Sequence, residues 1–227
     1  MDPIITETKQ GVSDIPEHGI NTSGIVYQLS PEPYEYADAY WDEYQKRSTT
    51  EIGERIHNAR LNLCEKFGSR TLLDVGIGSG QFLQMWNSLS NPNAPRACFG
   101  YDINKIAVKW MKDSRVFADP YKAGEIVGDG ACCWDTLEHM HDPQAFLGLF
   151  KRGQKLFVSL PIYPRWKLLE GGLVNSKHFK PNEHVLYFTP EGLIWYLGMH
   201  HFHLLHFDRR EIKAGREGVG SFVFEKG

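Results

Sequence analysis

The sequence predicts an α/β fold with helices on both faces of a mostly parallel sheet. The first observation is Thr71–Val75, a short apolar run typical of a buried parallel strand, which leads directly into a glycine turn and a helical segment. The second is that strand-like and helix-like segments go on alternating along the chain. The third is that 227 residues with 41% hydrophobic composition can bury one good core, so we expect one domain with decorations.

Composition excludes several other classes. The formal charge of −3 argues against a broad, non-specific nucleic-acid binder, and no apolar window is long enough to span a membrane. The first ten residues are acidic and polar, unlike a signal peptide. No C-x-x-C pair occurs, so we expect neither structural zinc nor disulfides, but buried thiols in a reducing cytoplasm. The four cysteines are Cys64, Cys98, Cys132 and Cys133.

The N-terminal part is expected to decorate the domain. Residues 1–33 are rich in proline and glycine without periodicity, which indicates an extended arm that folds over the body. The aromatic segment Tyr34–Arg47 is predicted to be helical, and it either packs as an ordinary N-terminal helix or forms a lid over an acceptor pocket. We therefore divide the chain into an arm with an aromatic lid helix, residues 1–47, and a main domain, residues 48–227.

The next helix is predicted from its ends and its apolar spacing. Ser48 or Thr49 should begin it, because Ser48 and Glu51 have the spacing of a capping box, and Gly68 should end it. The apolar residues at helical spacing predict the face that packs on the sheet. They are Ile52, Ile56, Ala59, Leu63 and Phe67.

The glycine turn is the central motif of the chain. Gly76-Ile77-Gly78-Ser79-Gly80 follows a strand and precedes a helix. Glycine permits positive φ and lets a ligand lie against bare backbone, while the helix N-terminus offers unpaired N–H groups. The pattern is G-x-G-x-G, with Gln81 at the third glycine position of a dinucleotide fingerprint and Asp74 two residues ahead of the first glycine. This predicts a nucleoside cradle of another kind.

The later strands place further polar residues at the same edge of the sheet. We expect strands at Ala97–Tyr101, Arg115–Ala118, Gly130–Trp134 and Lys155–Leu160, then a closing antiparallel pair at Phe202–Asp208 and Val219–Glu225. Asp102 lies 22 residues beyond Gly80, where an acidic side chain can accept hydrogen bonds from both ribose hydroxyls of a nucleoside. The long segment Ile162–Glu183 follows a strand, and such loops usually serve a site.

These motifs resemble those of the class I S-adenosylmethionine (SAM)-dependent methyltransferases. Asp74–Gly80 resembles the first motif of that family, and the stretch FGYDIN around Asp102 resembles the second. The LEH…DP pattern at Leu137–Pro143 and the segment Asn182–Leu193 resemble a subgroup that methylates quinones, sugars and other small molecules. The resemblance implies a doubly wound sheet of seven strands with the last one antiparallel. It also implies SAM as cofactor and methyl transfer to an oxygen or nitrogen of a small molecule.

The resemblance also implies which residues bind the cofactor, at the point of the sheet where the strand order reverses. Asp119 precedes Pro120, so it either meets the adenine or is an ordinary turn residue. Ile77 stands where the family more often has a small residue or cysteine, which would narrow the groove. The expected cofactor residues are Asp74, Gly76, Gly78, Gly80, Asp102, Ile103, Asp119 and Trp134.

Three histidines are candidates for the base that takes the acceptor's proton, since histidine titrates near neutral pH. His184 is the first candidate, because of its segment's resemblance and the neighbouring Glu183; His139 and His178 follow, and each has the alternative of a structural role. We expect no metal site. The histidine run from His200 to His206 lies on a predicted edge strand, where side chains on one face are mostly solvated.

Two alternative functions stay open at this stage. Trp134–Leu137 lacks the [N/D/S]-P-P-[Y/F] segment of exocyclic-amine DNA methyltransferases, and no Pro-Cys pair could serve cytosine C5 chemistry. However, basic residues of the 162–183 segment could meet a phosphate, so a nucleotide or a modified nucleic-acid base is one alternative. The other is a SAM-binding module without catalysis, which predicts a closed or missing acceptor pocket. The basic residues are Arg165, Lys167, Lys177 and Lys180.

Overall fold

A computed structural model describes residues 11–12, 18–29, 31–32, 34, 36, 39–169 and 172–227. In chain order the elements are β1 (Gly11–Val12), β2 (His18–Ile20), β3 (Ile25–Gln28), α1 (Ala39–Ser48), α2 (Glu51–Lys66), β4 (Thr71–Val75), α3 (Gln81–Ser88), β5 (Ala97–Tyr101), α4 (Lys105–Asp113), α5 (Pro120–Ala123), β6 (Gly130–Trp134), a 3₁₀ turn (Leu137–His139), α6 (Pro143–Leu147), β7 (Lys155–Pro161), α7 (Arg165–Leu169), a second 3₁₀ turn (Gly172–Asn175), β8 (Leu186–Phe188), α8 (Pro190–Met199), β9 (Phe202–Asp208), α9 (Arg210–Lys213) and β10 (Val219–Lys226).

The main sheet has six strands in the order β5-β4-β6-β7-β10-β9. The first four strands of this order pair in parallel, whereas β10 pairs antiparallel with both β7 and β9. The predicted α/β class is confirmed, as is the closing antiparallel pair. The chain runs from β4 outward to β5 and then returns to the other side of β4 for β6. The strand order therefore reverses between β4 and β6, where a crevice opens beyond the strand ends.

The expected count of seven strands is too high by one within the described residues. Arg115–Ala118, expected as a strand, makes only one isolated parallel bridge, between Phe117 and Gly100. Gly100 donates its N–H to the carbonyl of Val116 and accepts from the N–H of Ala118. Arg115 adopts a positive φ of 58°, which is a turn conformation. The extended stretch therefore begins only after Arg115 and makes only these two ladder hydrogen bonds within the described residues.

A second sheet, absent from the sequence predictions, has the order β1-β2-β3-β8. Its central feature is the antiparallel pairing of β3 with β8, in which Val26 faces Tyr187. All four residues of β3 and all three of β8 are buried. Ile25 and Tyr27 join the same apolar core as the central strands of the main sheet. Residues 18–28 are thus integral to the core and not only an extended arm.

Helix α2 differs from its prediction at its start and in its buried face. Thr50 is the N-cap, with its hydroxyl oxygen accepting the N–H of Gly53 at 3.1 Å, whereas Ser48 ends α1. Ile52 is 47% exposed. The buried side of the helix instead includes Arg60, which pairs with two carboxylates, while Ile56, Ala59 and Phe67 of the predicted face are only partly buried. Leu63 alone of the predicted face is fully buried.

Two later helices begin at residues that favour a helix start. Asp142 accepts the N–H of Ala145 at the start of α6, and Thr189 accepts the N–H of Gly192 at the start of α8. Both helices carry proline in the first turn. All four cysteines are free and buried, as predicted. Among the described residues no helix combines the length and apolar character that crossing a membrane requires.

Candidate active site

A cavity of about 850 Å³ lies at the carboxyl ends of β4, β5 and β6. One part is lined by the glycine loop and by the residues that follow β5; we call it the donor half. The other part is lined by Tyr36, Tyr40 and three histidines, and we call it the acceptor half; the Tyr44 ring lies over Gly78 of the glycine loop. The two halves belong to one continuous cavity.

The glycine loop has the backbone geometry that its sequence predicts. Gly76 and Gly78 have φ angles of 73° and 54°, and both line the cavity. A Cβ at Gly76 would collide with the Thr136 side chain, and one at Gly78 would lie 3.0 Å from the Tyr44 ring. Both positions therefore need glycine for conformation and for space. Gly80, the third glycine, caps α3 and does not line the cavity.

Asp74 is a buried carboxyl group without a partner. Its residue is 1% exposed, and neither carboxylate oxygen has a hydrogen-bond partner among the described residues, although the residue lines the cavity. Burial raises its pKa to about 8, against the attraction of Arg60. An unsatisfied buried carboxyl group is costly for the protein alone. A cationic ligand group in the donor half would supply the missing partner.

Asp102 lies at the end of β5, beside the glycine loop. Its Oδ1 accepts the N–H of Asn104 at 2.8 Å. Burial raises its pKa, while neighbouring backbone amides, including that of Gly78, oppose the shift. Ile103 is 69% exposed and lines the cavity next to it. Asp119 does not line the cavity; its carboxylate caps α5 by accepting the N–H groups of the first two residues after Pro120.

Trp134 lies next to a network of four charged residues, of which Arg60 and Glu211 are buried and Asp135 and Arg216 are partly buried; the sequence did not predict this network. The Arg60 guanidinium lies 5.1 Å from the Trp134 ring centroid and donates to Glu211 at 2.8 Å and to Asp135 at 3.0 Å. Arg216 donates to the same two carboxylates, at 2.7 Å each. Burial opposes the ionisation of Asp135, but Arg216 and Arg60 hold its pKa well below its usual range. No local sequence pattern predicts this network, because its four residues come from four separate segments.

The three predicted histidines all line the cavity, but only two of them are together. The ring centroids of His139 and His184 are 4.6 Å apart, and Nδ1 of His139 lies 3.4 Å from the Tyr36 hydroxyl. Burial, with His139 next, lowers the pKa of His184 to about 3, and burial also lowers that of His139. His178 is separate, with its Nε2 donating to the backbone carbonyl of Glu217 at 3.2 Å.

Glu138 joins the histidine pair. One ligand atom from each of Glu138, His139 and His184 lies within 4.8 Å of the others, and in the described part of the chain only this group has such metal-ligand geometry. Glu138 is 2% exposed, and neither carboxylate oxygen has a hydrogen-bond partner in another described residue. The prediction of no metal site was based on the cysteines and on the His200–His206 run. Neither group includes Glu138, His139 or His184.

Helix α1 closes the cavity from the N-terminal side. Gln45 donates its side-chain N–H to the carbonyl of Ser79 in the glycine loop at 2.6 Å. The rings of Tyr36, Tyr40 and Tyr44 follow one another with centroids 4.6 and 4.4 Å apart, and the Tyr40 hydroxyl donates to that of Tyr44. The helix begins at Ala39, later than predicted, and Tyr34 lies outside it.

Comparison with known proteins identifies the family. The model of a methyltransferase domain family matches residues 43–206, well over half of the chain, and the chain belongs to this family. The sequence prediction of a SAM-dependent methyltransferase is thereby confirmed at the level of the family, and the protein is an enzyme with SAM as its cofactor. Among curated proteins, no sequence matches the chain.

Solved structures of similar fold include three methyltransferases, and the names of two of them give different substrates. The 1,6-didemethyltoxoflavin-N1-methyltransferase of Burkholderia thailandensis, with S-adenosylhomocysteine bound, is 17% identical with a TM-score of 0.53, covering 92% of this chain and 99% of that one. A SAM-dependent methyltransferase from Aquifex aeolicus is 13% identical with a TM-score of 0.57, covering 84% and 98%. The small RNA methyltransferase HEN1 is 17% identical with a TM-score of 0.52, covering 88% and 28%. At these identities the likeness concerns the fold.

Proposed function

We propose that this enzyme transfers the methyl group of SAM to an oxygen or nitrogen of a small molecule bound in the acceptor half of the cavity. The observation that carries the proposal is the continuity of the cavity. Its donor half contains the glycine loop and an unpartnered buried carboxyl group, and its acceptor half contains aromatic and imidazole side chains. The volume of about 850 Å³ lies within the range of small-molecule sites.

In the donor half, the protein's own residues hold and orient the cofactor. SAM, when bound, supplies a methyl group on a positively charged sulfur, so the protein need not activate the donor. Asp74 offers a carboxylate to a cationic group, and Asp102 can accept hydrogen bonds from ribose hydroxyls. Backbone at Gly76 and Gly78 gives close approach, while Ile103 and Trp134 add apolar contact; Asp119 and Gly80 lie outside this set.

In the acceptor half, the chain can position the acceptor next to the donor. The rings of Tyr36 and Tyr40 form an aromatic wall suited to a small, flat or partly apolar molecule. Because the pKa values of His139, His178 and His184 are lowered by burial, all three imidazoles are neutral near pH 7 and do not repel a positively charged donor. Holding the two reactants in line can by itself supply several kcal/mol.

A nucleic-acid acceptor is the second candidate, and the basic side chains disfavour it. Lys180 lines the cavity but pairs with Glu183 at 3.0 Å. Lys177 lies 3.7 Å from Glu217, and Arg165 donates to the carbonyl of Thr22 at 3.1 Å. Each of these three charges has a partner within the protein, although Lys177 and Glu217 are both exposed, and these contacts reduce the charge available to a phosphate backbone. The small RNA substrate of HEN1, named in that structure, keeps this candidate in the test.

The test is methylation of a cell extract with SAM carrying a labelled methyl group, followed by separation into small molecules and nucleic acids. We expect label in the small-molecule fraction. Asp102→Ala should reduce incorporation at limiting SAM by about tenfold or more, because charge-assisted hydrogen bonds to the cofactor are lost. Asp113→Ala is the matched control, since Asp113 is exposed and pairs with Lys109 on the same helix. Label confined to nucleic acid would select the second candidate, and equal incorporation by all proteins would refute the donor half.

A further inference from the structure

We propose that Glu138, His139 and His184 bind a divalent transition-metal ion in the acceptor half of the cavity. The three residues come from two segments, the 3₁₀ turn after β6 and the stretch before β8. Two backbone contacts hold these segments in place: Val185 donates its N–H to the Glu138 carbonyl at 2.9 Å, and His184 donates to the Lys180 carbonyl at 2.7 Å. These two hydrogen bonds hold the backbone of both segments in place, so the three candidate ligands extend from backbone positions that are fixed relative to one another.

The proposal rests on two independent observations. The first is that ligand atoms of the three residues lie within 4.8 Å of one another, close enough for one ion to contact all three. The second is the state of Glu138, which is 2% exposed with no hydrogen-bond partner in another described residue for either carboxylate oxygen. Buried carboxylates are normally paired with a cation or coordinate a metal. The nearby cations are engaged elsewhere, since Lys180 pairs with Glu183, and Arg216 pairs with Asp135 and Glu211.

The donor set selects the type of ion. Two imidazoles and one carboxylate suit Zn²⁺ and neighbouring first-row metals, whereas Mg²⁺ and Ca²⁺ prefer sites made of oxygen ligands. The Tyr36 hydroxyl, 3.4 Å from Nδ1 of His139, is placed to orient that ring from outside the set. Asp135, three residues before Glu138, is not a ligand, because both of its oxygens are held by arginines.

Three protein ligands leave coordination positions open, as in catalytic zinc sites. This part of the inference rests on the proposed function and narrows it to an oxygen acceptor. A bound dication lowers the pKa of a coordinated hydroxyl, so the acceptor gives its proton to solvent water. The oxygen lone pair then forms the new bond to the methyl carbon, and the electron pair of the broken carbon–sulfur bond stays on sulfur. In this arrangement His139 and His184 are ligands, which replaces the sequence prediction of a histidine base and of a metal-free enzyme.

The test is direct metal binding, measured by titration calorimetry of the chelator-treated full-length protein with Zn²⁺ and by the visible absorption of bound Co²⁺. We expect one ion per chain. Glu138→Gln and His184→Gln should each weaken binding by at least about tenfold, since even the loss of an outer-shell partner costs that much. His178→Gln is the matched control, because His178 lines the same cavity outside the cluster, and it should bind Zn²⁺ like the unchanged protein.

SAM affinity is measured on the same samples to separate the two proposals. A variant that keeps SAM binding but loses Zn²⁺ is folded and supports the metal site; if Glu138→Gln does not fold, His184→Gln gives the result. Failure of the unchanged protein to bind Zn²⁺ or Co²⁺ would overturn the metal site, as would equal weakening by His178→Gln. Neither result would affect the proposed methyl transfer, which fails instead if SAM does not bind or no acceptor is labelled.

Discussion

Three carboxyl groups at the cavity have different surroundings, and the surroundings decide what each can do. Asp135 is held ionised by two arginines. Asp74 and Glu138 are buried with no such partner in the described part of the chain, and burial raises the pKa of each. Such groups lower the free energy of unfolding of the protein without ligand, and a bound cation would offset this loss. At the scale of single residues, the cavity is therefore prepared for positively charged ligands.

Asp74 allows this cost to be measured through pH. Its pKa is about 8 in the folded protein and about 4 when unfolded, so between these values the unfolded state binds fewer protons and the carboxyl group lowers stability as pH rises. Asp74→Asn removes this term. The free energy of unfolding of the variant minus that of the unchanged protein should therefore increase from pH 4 to pH 8, by up to about 1.4 kcal/mol per pH unit.

The measurement is urea denaturation without ligand at several pH values. Asp113→Asn is the control, because Asp113 is exposed and should show no comparable trend. If the free energies of unfolding of the two variants changed in parallel with pH, the pKa of Asp74 would be ordinary. Asp74 would then not be an unpartnered buried carboxyl group that awaits a cation.

Helix α1 connects the N-terminal segment to the cofactor loop. The Tyr44 ring packs over Gly78, and Gln45 is hydrogen-bonded to the Ser79 carbonyl. The helix thus covers the donor half while its neighbouring tyrosines line the acceptor half. Both roles discussed for the aromatic segment, packing and lid, are compatible with these contacts; the lid and the domain division at residue 47 stay predictions.

The lid hypothesis makes a kinetic prediction. Gln45→Ala removes one hydrogen bond to the glycine loop, worth about 1 kcal/mol, so the dissociation rate of SAM should rise by about fivefold. Stopped-flow displacement of bound SAM measures this rate. Lys46→Ala, on the exposed side of the same helix, should leave it unchanged. An unchanged rate in Gln45→Ala as well would mean that α1 does not gate release of the cofactor.

At the scale of the whole molecule, the four-charge network joins parts of the chain that are far apart in sequence. Arg60 belongs to α2, Asp135 follows β6, Glu211 belongs to α9, and Arg216 precedes β10. Glu211 is fully buried and accepts from both arginines. Although burial opposes it, the attraction of Arg60 and Arg216 lowers the pKa of Glu211. Its contribution to stability is therefore present above its unfolded pKa and is lost in acid.

Glu211→Gln should destabilise the protein by about 3–5 kcal/mol at neutral pH, because it leaves the buried guanidinium group of Arg60 and the partly buried one of Arg216 short of one negative charge. Thermal and urea unfolding measure the loss. Glu217→Gln is the control, since Glu217 is exposed and its contact with Lys177 is 3.7 Å long. A loss below about 1 kcal/mol would show that the network fixes the relative positions of its four segments but adds little to the free energy of unfolding.

The same network explains an error in reading the sequence. Apolar spacing predicted a buried face of α2 that includes Ile52, but Ile52 is exposed and Arg60 is buried. A periodicity argument treats arginine as an outward residue, and it has no information on carboxylates that come 75 and 151 residues later. The strands β1, β2 and β3 were missed for a similar reason, since β3 is completed by a partner near residue 187.

The sequence by itself determined the features that depend on local backbone chemistry. The glycine loop after Val75 needs residues without a Cβ, Asn104, Asp142 and Thr189 cap the helices that follow them, and short apolar runs gave the bounds of β4, β5 and β6. These signals lie within a few residues of the structure they produce. Together with the spacing of Asp74 and Asp102 they were sufficient for the fold, the family and the cofactor.

Only the tertiary structure decided which distant side chains meet. His139 and His184 were both named from the sequence, but their contact and the closeness of Glu138 to both depend on how the 3₁₀ turn after β6 lies against the segment before β8. The packing of segments that are distant in sequence also separates His178 from this pair and pairs Asp135 with two arginines. The physical reason is that such contacts are set by sheet order and packing between segments, and no local pattern of residues encodes the register of a partner far along the chain.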